Sequence, residues 1–69
     1  MEWHQLSSSV IARVAYDETS HTLIIEFRSG TTYEYFDVPE KIYQELVDAA
    51  SAGTYFAENI RDVYRYART

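Results

Sequence analysis

A chain of 69 residues can bury one hydrophobic core and no more, because a domain of this size hides only roughly 60% of the surface its unfolded chain exposes. It has no cysteine, which closes the routes of disulfide reinforcement and thiolate chemistry and fits a reducing compartment. The net charge of −5 argues against indiscriminate binding to polyphosphate, which needs a basic contact surface.

The first residues, Met1-Glu2-Trp3-His4, carry an acid where a signal peptide carries positive charge. No apolar run reaches the roughly 20 residues of a membrane span, so a cytoplasmic location without membrane contact is expected. No repeat or linker divides the chain, and residues 1–69 read as a single domain with residues 1–8 as an N-terminal arm. Apolar side chains then alternate at Val10, Ala12, Val14 and Tyr16, and again at Leu23, Ile25 and Phe27. That is the period of half-buried strands. A third run, Thr31 to Phe36, is rich in Thr, Tyr and Phe, the residue types that favour strands. Turns at Asp17–His21 and Ser29-Gly30 are short enough to make the three strands antiparallel neighbours.

The second turn sets the register of the third strand. If Arg28-Ser29-Gly30 is a three-residue loop with Gly30 left-handed, Ile25 faces Tyr33 and Leu23 faces Tyr35, and both tyrosines join the apolar face. If Ser29-Gly30 alone turns the chain, both tyrosines move to the opposite face with Ile24 and Glu26. The first register is preferred, because a four-residue first loop then sets Arg13 against Glu26, Val14 against Ile25 and Ala12 against Phe27. Asp37 stands as the cap of a following helix, with Pro39 in its first turn and Glu40 at capping-box spacing. This helix is expected to run to about Ala50, with Ile42, Tyr43, Leu46, Val47 and Ala50 on one stripe. Ser51-Ala52-Gly53 breaks it, Gly53 as a left-handed residue and Ser51 as the next cap. Phe56, Ile60, Val63, Tyr64 and Ala67 recur at helical spacing beyond it, although the end from Tyr64 on can equally fray. The expected fold is α+β: a three-stranded antiparallel β-meander followed by two short α-helices packed on one face.

Several of these residues form a familiar pattern: Ser9-Val10-Ile11, Tyr16-Asp17, Leu23-x-Ile25-x-Phe27, Gly30, Tyr33-x-Tyr35, Val38-Pro39, Ala50-Ser51-x-Gly53, Tyr55-Phe56 and Ile60-Arg61. Together they resemble the KTSC domain, a family named for the C-terminal region of some lysyl-tRNA synthetases and found also as small free-standing bacterial proteins. The resemblance spans Ser7 to about Tyr66. It implies an RNA-binding role and carries over no catalytic residues. The Tyr-x-Tyr pair is the family's hallmark, which marks Tyr33 and Tyr35 as contact residues or, equally, as core.

No enzymatic constellation can be assembled. His4 and His21 lie in no metal-ligand spacing, and Ser7-Ser8-Ser9 lacks a glycine elbow and an orienting acid. The acids at Asp17-Glu18 and Glu45/Asp48 lack calcium-loop spacing, and the only glycines, Gly30 and Gly53, form no phosphate loop. Neither a metal nor a cofactor is therefore expected. The aromatic and basic C-terminus is the best functional candidate. On a continued helix Arg61, Arg65 and Arg68 share one side at i, i+4 and i+7, where arginines grip phosphates while Tyr64 and Tyr66 stack on unpaired bases. Asp62 and Glu58 partly neutralise this patch, and a helix end whose arginines satisfy carbonyls and acids is the bland alternative. The expected function is a non-enzymatic module binding single-stranded or structured RNA. The alternative is a protein-interaction or self-associating module, using the free edge of the third strand or Ile11, Ile24 and Phe36 on the outer face.

Overall fold

The computed structural model describes residues 2–69, so the first residue of the expected N-terminal arm lies outside the described residues. In chain order the elements are β1 (Trp3–Gln5), β2 (Ile11–Asp17), β3 (Thr22–Phe27), β4 (Thr32–Tyr35), α1 (Glu40–Asp48), α2 (Ala52–Asn59) and β5 (Tyr66–Arg68). The α+β class and the two helices on one face are as expected, but the sheet has five strands in the order β1-β2-β3-β4-β5, all antiparallel. The two additional strands come from the arm and from the C-terminus. Each has three residues, all exposed, so neither carries a hydrophobic signal. They form because β2 and β4 otherwise present rows of unpaired N–H and C=O groups.

The preferred register holds. Ile25 faces Tyr33, Leu23 faces Tyr35, and Gly30, at φ 95°, donates its N–H to the Phe27 carbonyl at 2.9 Å while Phe27 donates to Thr31 at 2.9 Å. Only glycine adopts that φ without strain. On the other side Arg13 faces Glu26 and Val14 faces Ile25, but a bulge between Ile11 and Arg13 sets Ile11, not Ala12, against Phe27. The extra residue changes which side chains face inward from that point on, and Ile11, expected on the outer face, is fully buried.

Strand alternation places one cross-strand row, Tyr16, Leu23, Tyr35 and Tyr66, on the inner face. Trp3, Ala15, Ile24, Glu34 and Ala67 form a row on the outer face. Both helices cover the inner face. Leu46 of α1 and Phe56 of α2 join Val14, Leu23, Ile25 and Tyr35 in the core, and full burial of each such aliphatic side chain stabilises the domain by about 1.5–3 kcal/mol.

The helices depart from expectation at four points. α1 ends at Asp48, and its N-terminal flank is Pro39, with no side-chain cap. Asp37 instead turns the chain at φ 57°, a conformation aspartate tolerates because its short polar side chain finds local partners, and it accepts a hydrogen bond from Arg65. Ser51 caps α2 as expected, accepting from the Thr54 N–H at 3.3 Å. Gly53 lies inside α2 beside Val10 and is not the expected left-handed residue, since positive φ among the glycines occurs at Gly30. α2 stops at Asn59, and Val63 and Ala67 are not helical.

Candidate functional site

On the inner face, beside α2, lies a cleft of about 610 Å³. Its rings come from four elements: Phe27 of β3, Tyr33 and Tyr35 of β4, Phe56 of α2 and Tyr66 of β5. They meet largely edge to face. Ring centroids lie 5.3 Å apart for Phe27–Phe56, 5.6 Å for Phe27–Tyr33, 5.5 Å for Tyr33–Tyr66 and 5.6 Å for Tyr35–Phe56, the arrangement that aromatic quadrupoles favour. Such a lattice fixes each ring through its neighbours. Tyr35 is 4% exposed and forms the floor, whereas Tyr66 is 58% exposed at the rim.

Local backbone geometry supplies the polar groups of the mouth. α2 ends with the Arg61 N–H bonded to the Phe56 carbonyl at 2.9 Å, and Val63 closes a tight turn onto Ile60 at 3.1 Å. Asp62 sits in that turn at φ 66°. The turn brings Arg61 and Asp62 to the lip of the cleft, which Ser9, Ser29 and Thr31 also line with hydroxyls. The Tyr35 hydroxyl is pushed up to about 12, first by burial and then by the neighbouring Tyr33 and Tyr66, with Arg61 lowering it and Asp62 raising it. It therefore stays a neutral hydroxyl, able to donate and to accept.

The expected arginine row along a helix does not exist, because the chain from Tyr66 to Arg68 is a strand. Arg61 lies at the cleft. Arg68 stands beside Tyr33 at the sheet edge. Arg65 precedes β5 on the outer side, where it pairs with Asp37 at 2.9 Å and lies 5.9 Å from the Phe36 ring. Tyr64 is half-buried against the core. Tyr33, Tyr35, Tyr66 and Arg61 are thus brought together, and Arg65 and Tyr64 are not. β5 also covers the edge of β4, which the sequence left free, so this edge offers no docking row.

The remaining arginines are committed. Arg13 bonds Glu26 at 2.7 Å, and Arg28 donates to the Ser8 and Leu6 carbonyls at 3.0 and 2.8 Å, tying the N-terminal segment down beside the cleft. Among the described residues no ion pair engages Arg61, Arg68 or Asp62. His4 lies in β1 opposite Val14 and His21 in the first turn at φ 54°, and neither lines the cleft. No group of three or more His, Cys, Asp or Glu residues that could hold a metal occurs among the described residues. No helix there is long and apolar enough to cross a membrane. Sequence reasoning treated Phe27 and Phe56 as core and Asp62 as a mere counter-charge. Only the pairing of β5 with β4 reveals that all three border one cavity.

Comparison with known proteins places this geometry in a family. Residues 7–64 match the family model of the KTSC domain. The chain is 43% identical over 58 residues to a lysine–tRNA ligase of Trichormus variabilis, covering 84% of this chain and 10% of the ligase. It therefore spans about a tenth of the length of the ligases it matches. It is 38% identical to an uncharacterised protein of Stutzerimonas stutzeri, over 91% of this chain and 90% of that protein. A crystal structure of a KTSC domain protein from Yersinia pestis superimposes with a TM-score of 0.95 at 32% identity, covering 99% of this chain and 96% of that one. The chain belongs to the KTSC domain family.

Proposed function

We propose that this domain is a non-enzymatic RNA-binding module of the cytoplasm that seats an unpaired base in the aromatic cleft while Arg61 and Arg68 meet the flanking phosphates. The observation that carries this reading is the cleft itself: an accessible aromatic lining with Arg61 among it and Arg68 beside Tyr33 in the sheet, both arginines free of ion pairs among the described residues. Single-stranded nucleic acid is recognised by that combination, because every base has a face to stack while the backbone follows positive charge. The likeness to a segment of lysine–tRNA ligases supports the same reading. Against a general affinity for duplexes stands the net charge of −5, so binding is local, weak and salt-sensitive. Among the described residues neither histidine lines the cleft, and the reading is one of binding, not turnover.

Titrating labelled protein with short single-stranded RNA at low salt, while following backbone amide shifts, tests the proposal. The amides of Tyr33, Arg61 and Tyr66 should move together. Two phosphate contacts give a slope of about −1.4 for the logarithm of the binding constant against that of salt. Absence of any shift at the cleft would overturn the assignment. A protein partner on the outer face is a second reading, favoured by Trp3, 37% exposed, with Ile24 and Phe36 on a face that neither helix covers. Shifts confined to that face, on dilution or with added protein, would support it instead.

A further inference from the structure

Two groups of opposite charge, the Arg61 guanidinium and the Asp62 carboxylate, border the cleft beside the exposed ring of Tyr66, above a floor formed by Tyr35. Asp62 is held there by the backbone, at φ 66° in the turn closed by Val63 onto Ile60. It joins no ion pair among the described residues. A free carboxylate beside a phosphate-binding cleft repels a polyanion unless the ligand brings donors to meet it. An ionised carboxylate only accepts hydrogen bonds, so the base it suits is one whose exposed edge presents adjacent donors. Guanine does so, with N1–H and the exocyclic N2–H side by side. Adenine and cytosine each offer one amino donor next to a ring-nitrogen acceptor, and uracil offers a single N3–H flanked by two carbonyls. Those three set a lone pair against the carboxylate.

We propose that Asp62 makes the cleft selective for guanine, its carboxylate accepting from N1–H and N2–H of a base stacked on the exposed ring of Tyr66. This rests on the RNA reading above and adds to it the identity of the base. Charge-assisted, two-point hydrogen bonding of this kind is strong and directional, and Watson–Crick edges of unpaired bases are where single-stranded RNA is read. Arg61 compensates the negative lip and leaves the phosphates a positive approach.

The test uses oligouridines of about eight nucleotides, within the span of single-strand sites, carrying one central guanosine, inosine, adenosine or cytidine, with affinities read by fluorescence anisotropy at low salt. A central guanosine should bind about tenfold tighter than the other natural bases, as a good bidentate base contact provides. Inosine, which lacks the N2 amine, should fall between guanosine and uridine. Asp62→Asn should abolish the preference, and asparagine tolerates the left-handed backbone, so the fold is kept. Equal affinity for all central bases, a guanosine preference that survives in Asp62→Asn, or inosine binding as well as guanosine each overturns the selectivity while leaving RNA binding in place. Failure of every oligonucleotide to bind overturns both.

Discussion

Tyr16 and Tyr66 stand at opposite ends of one inner-face row, yet their surroundings differ in kind. Tyr16 stacks on Tyr43 with centroids 5.4 Å apart and planes at 17°, and its hydroxyl donates to the Val38 carbonyl at 2.5 Å. Burial raises its pKa, as do Glu40, Glu18 and Asp17 nearby. That end is internally bonded and acidic, with Asp17, Glu18 and Glu40 lining a hollow of about 430 Å³ beside the two rings. The Tyr66 end is open, carries Arg61 at its lip and has Arg68 in the same strand. Aromatic clustering alone is therefore no signature of nucleic-acid binding in this molecule. What separates a packing cluster from a binding cluster is whether the hydroxyls and cations beside it are already used, and which charge surrounds it.

The largest effect expected from disturbing either end is that of Tyr35→Ala. Tyr35 touches Phe56, Tyr33 and Tyr66, and its truncation should cost about 3–5 kcal/mol. A domain this small gains little more than that from its whole core, so urea denaturation should show a variant largely unfolded. An unchanged midpoint would mean that Tyr35 is not the floor of the cleft.

Alkaline pH should act on both ends. Tyr35 and Tyr55 are raised to about 12, Tyr35 by burial and Tyr55 by burial and by its bond to Glu45, and Tyr16 and Tyr43 are raised as well, mainly by burial. For each, the folded state holds its proton more tightly than the unfolded chain, whose tyrosines titrate near 10. The stabilisation is therefore complete below about pH 10 and is lost as pH climbs towards 12. Unfolding midpoints should fall across that window, less steeply in Tyr35→Phe, and a flat profile would contradict the assigned environments.

Two smaller substitutions separate the ends directly. Tyr66→Ala should weaken single-stranded RNA binding by about 1–3 kcal/mol, the worth of a stacked base, without altering the salt slope. Tyr16→Phe should lose about 1 kcal/mol of stability with its hydrogen bond and leave RNA affinity untouched. If both lower affinity equally, the distinction between the ends fails. The smallest effects concern charge. Arg61→Ala or Arg68→Ala should flatten the salt slope by about 0.7, one phosphate contact. Arg65→Ala should leave the slope alone and cost less than about 1 kcal/mol, because its pair with Asp37 is a surface one. A slope that responds only to Arg65 would move the site to the outer side.

The residues themselves determine the central meander, the first helix stripe and the Ser51 cap. These rest on local rules: a period of two along each strand, a glycine that alone tolerates φ 95°, and a hydroxyl three residues before a free N–H. The same rules located Tyr33 and Tyr35 on the inner face, and named Arg61 and Tyr66 within a basic, aromatic terminus. Tertiary structure decided the rest. Three-residue strands such as Trp3–Gln5 and Tyr66–Arg68 are too short to show a period, and a neighbouring edge, not their own composition, makes them strands. The bulge that turns Ile11 inward leaves no mark in an alternating sequence. Nor does the turn at Asp62 announce itself, since the chain reads there as continued helix until the edge of β4 captures residues 66–68 as β5. That capture divides the arginines, sending Arg65 to Asp37 and leaving Arg61 at the mouth of the cleft, because strand pairing satisfies backbone groups over a distance that no local pattern can encode.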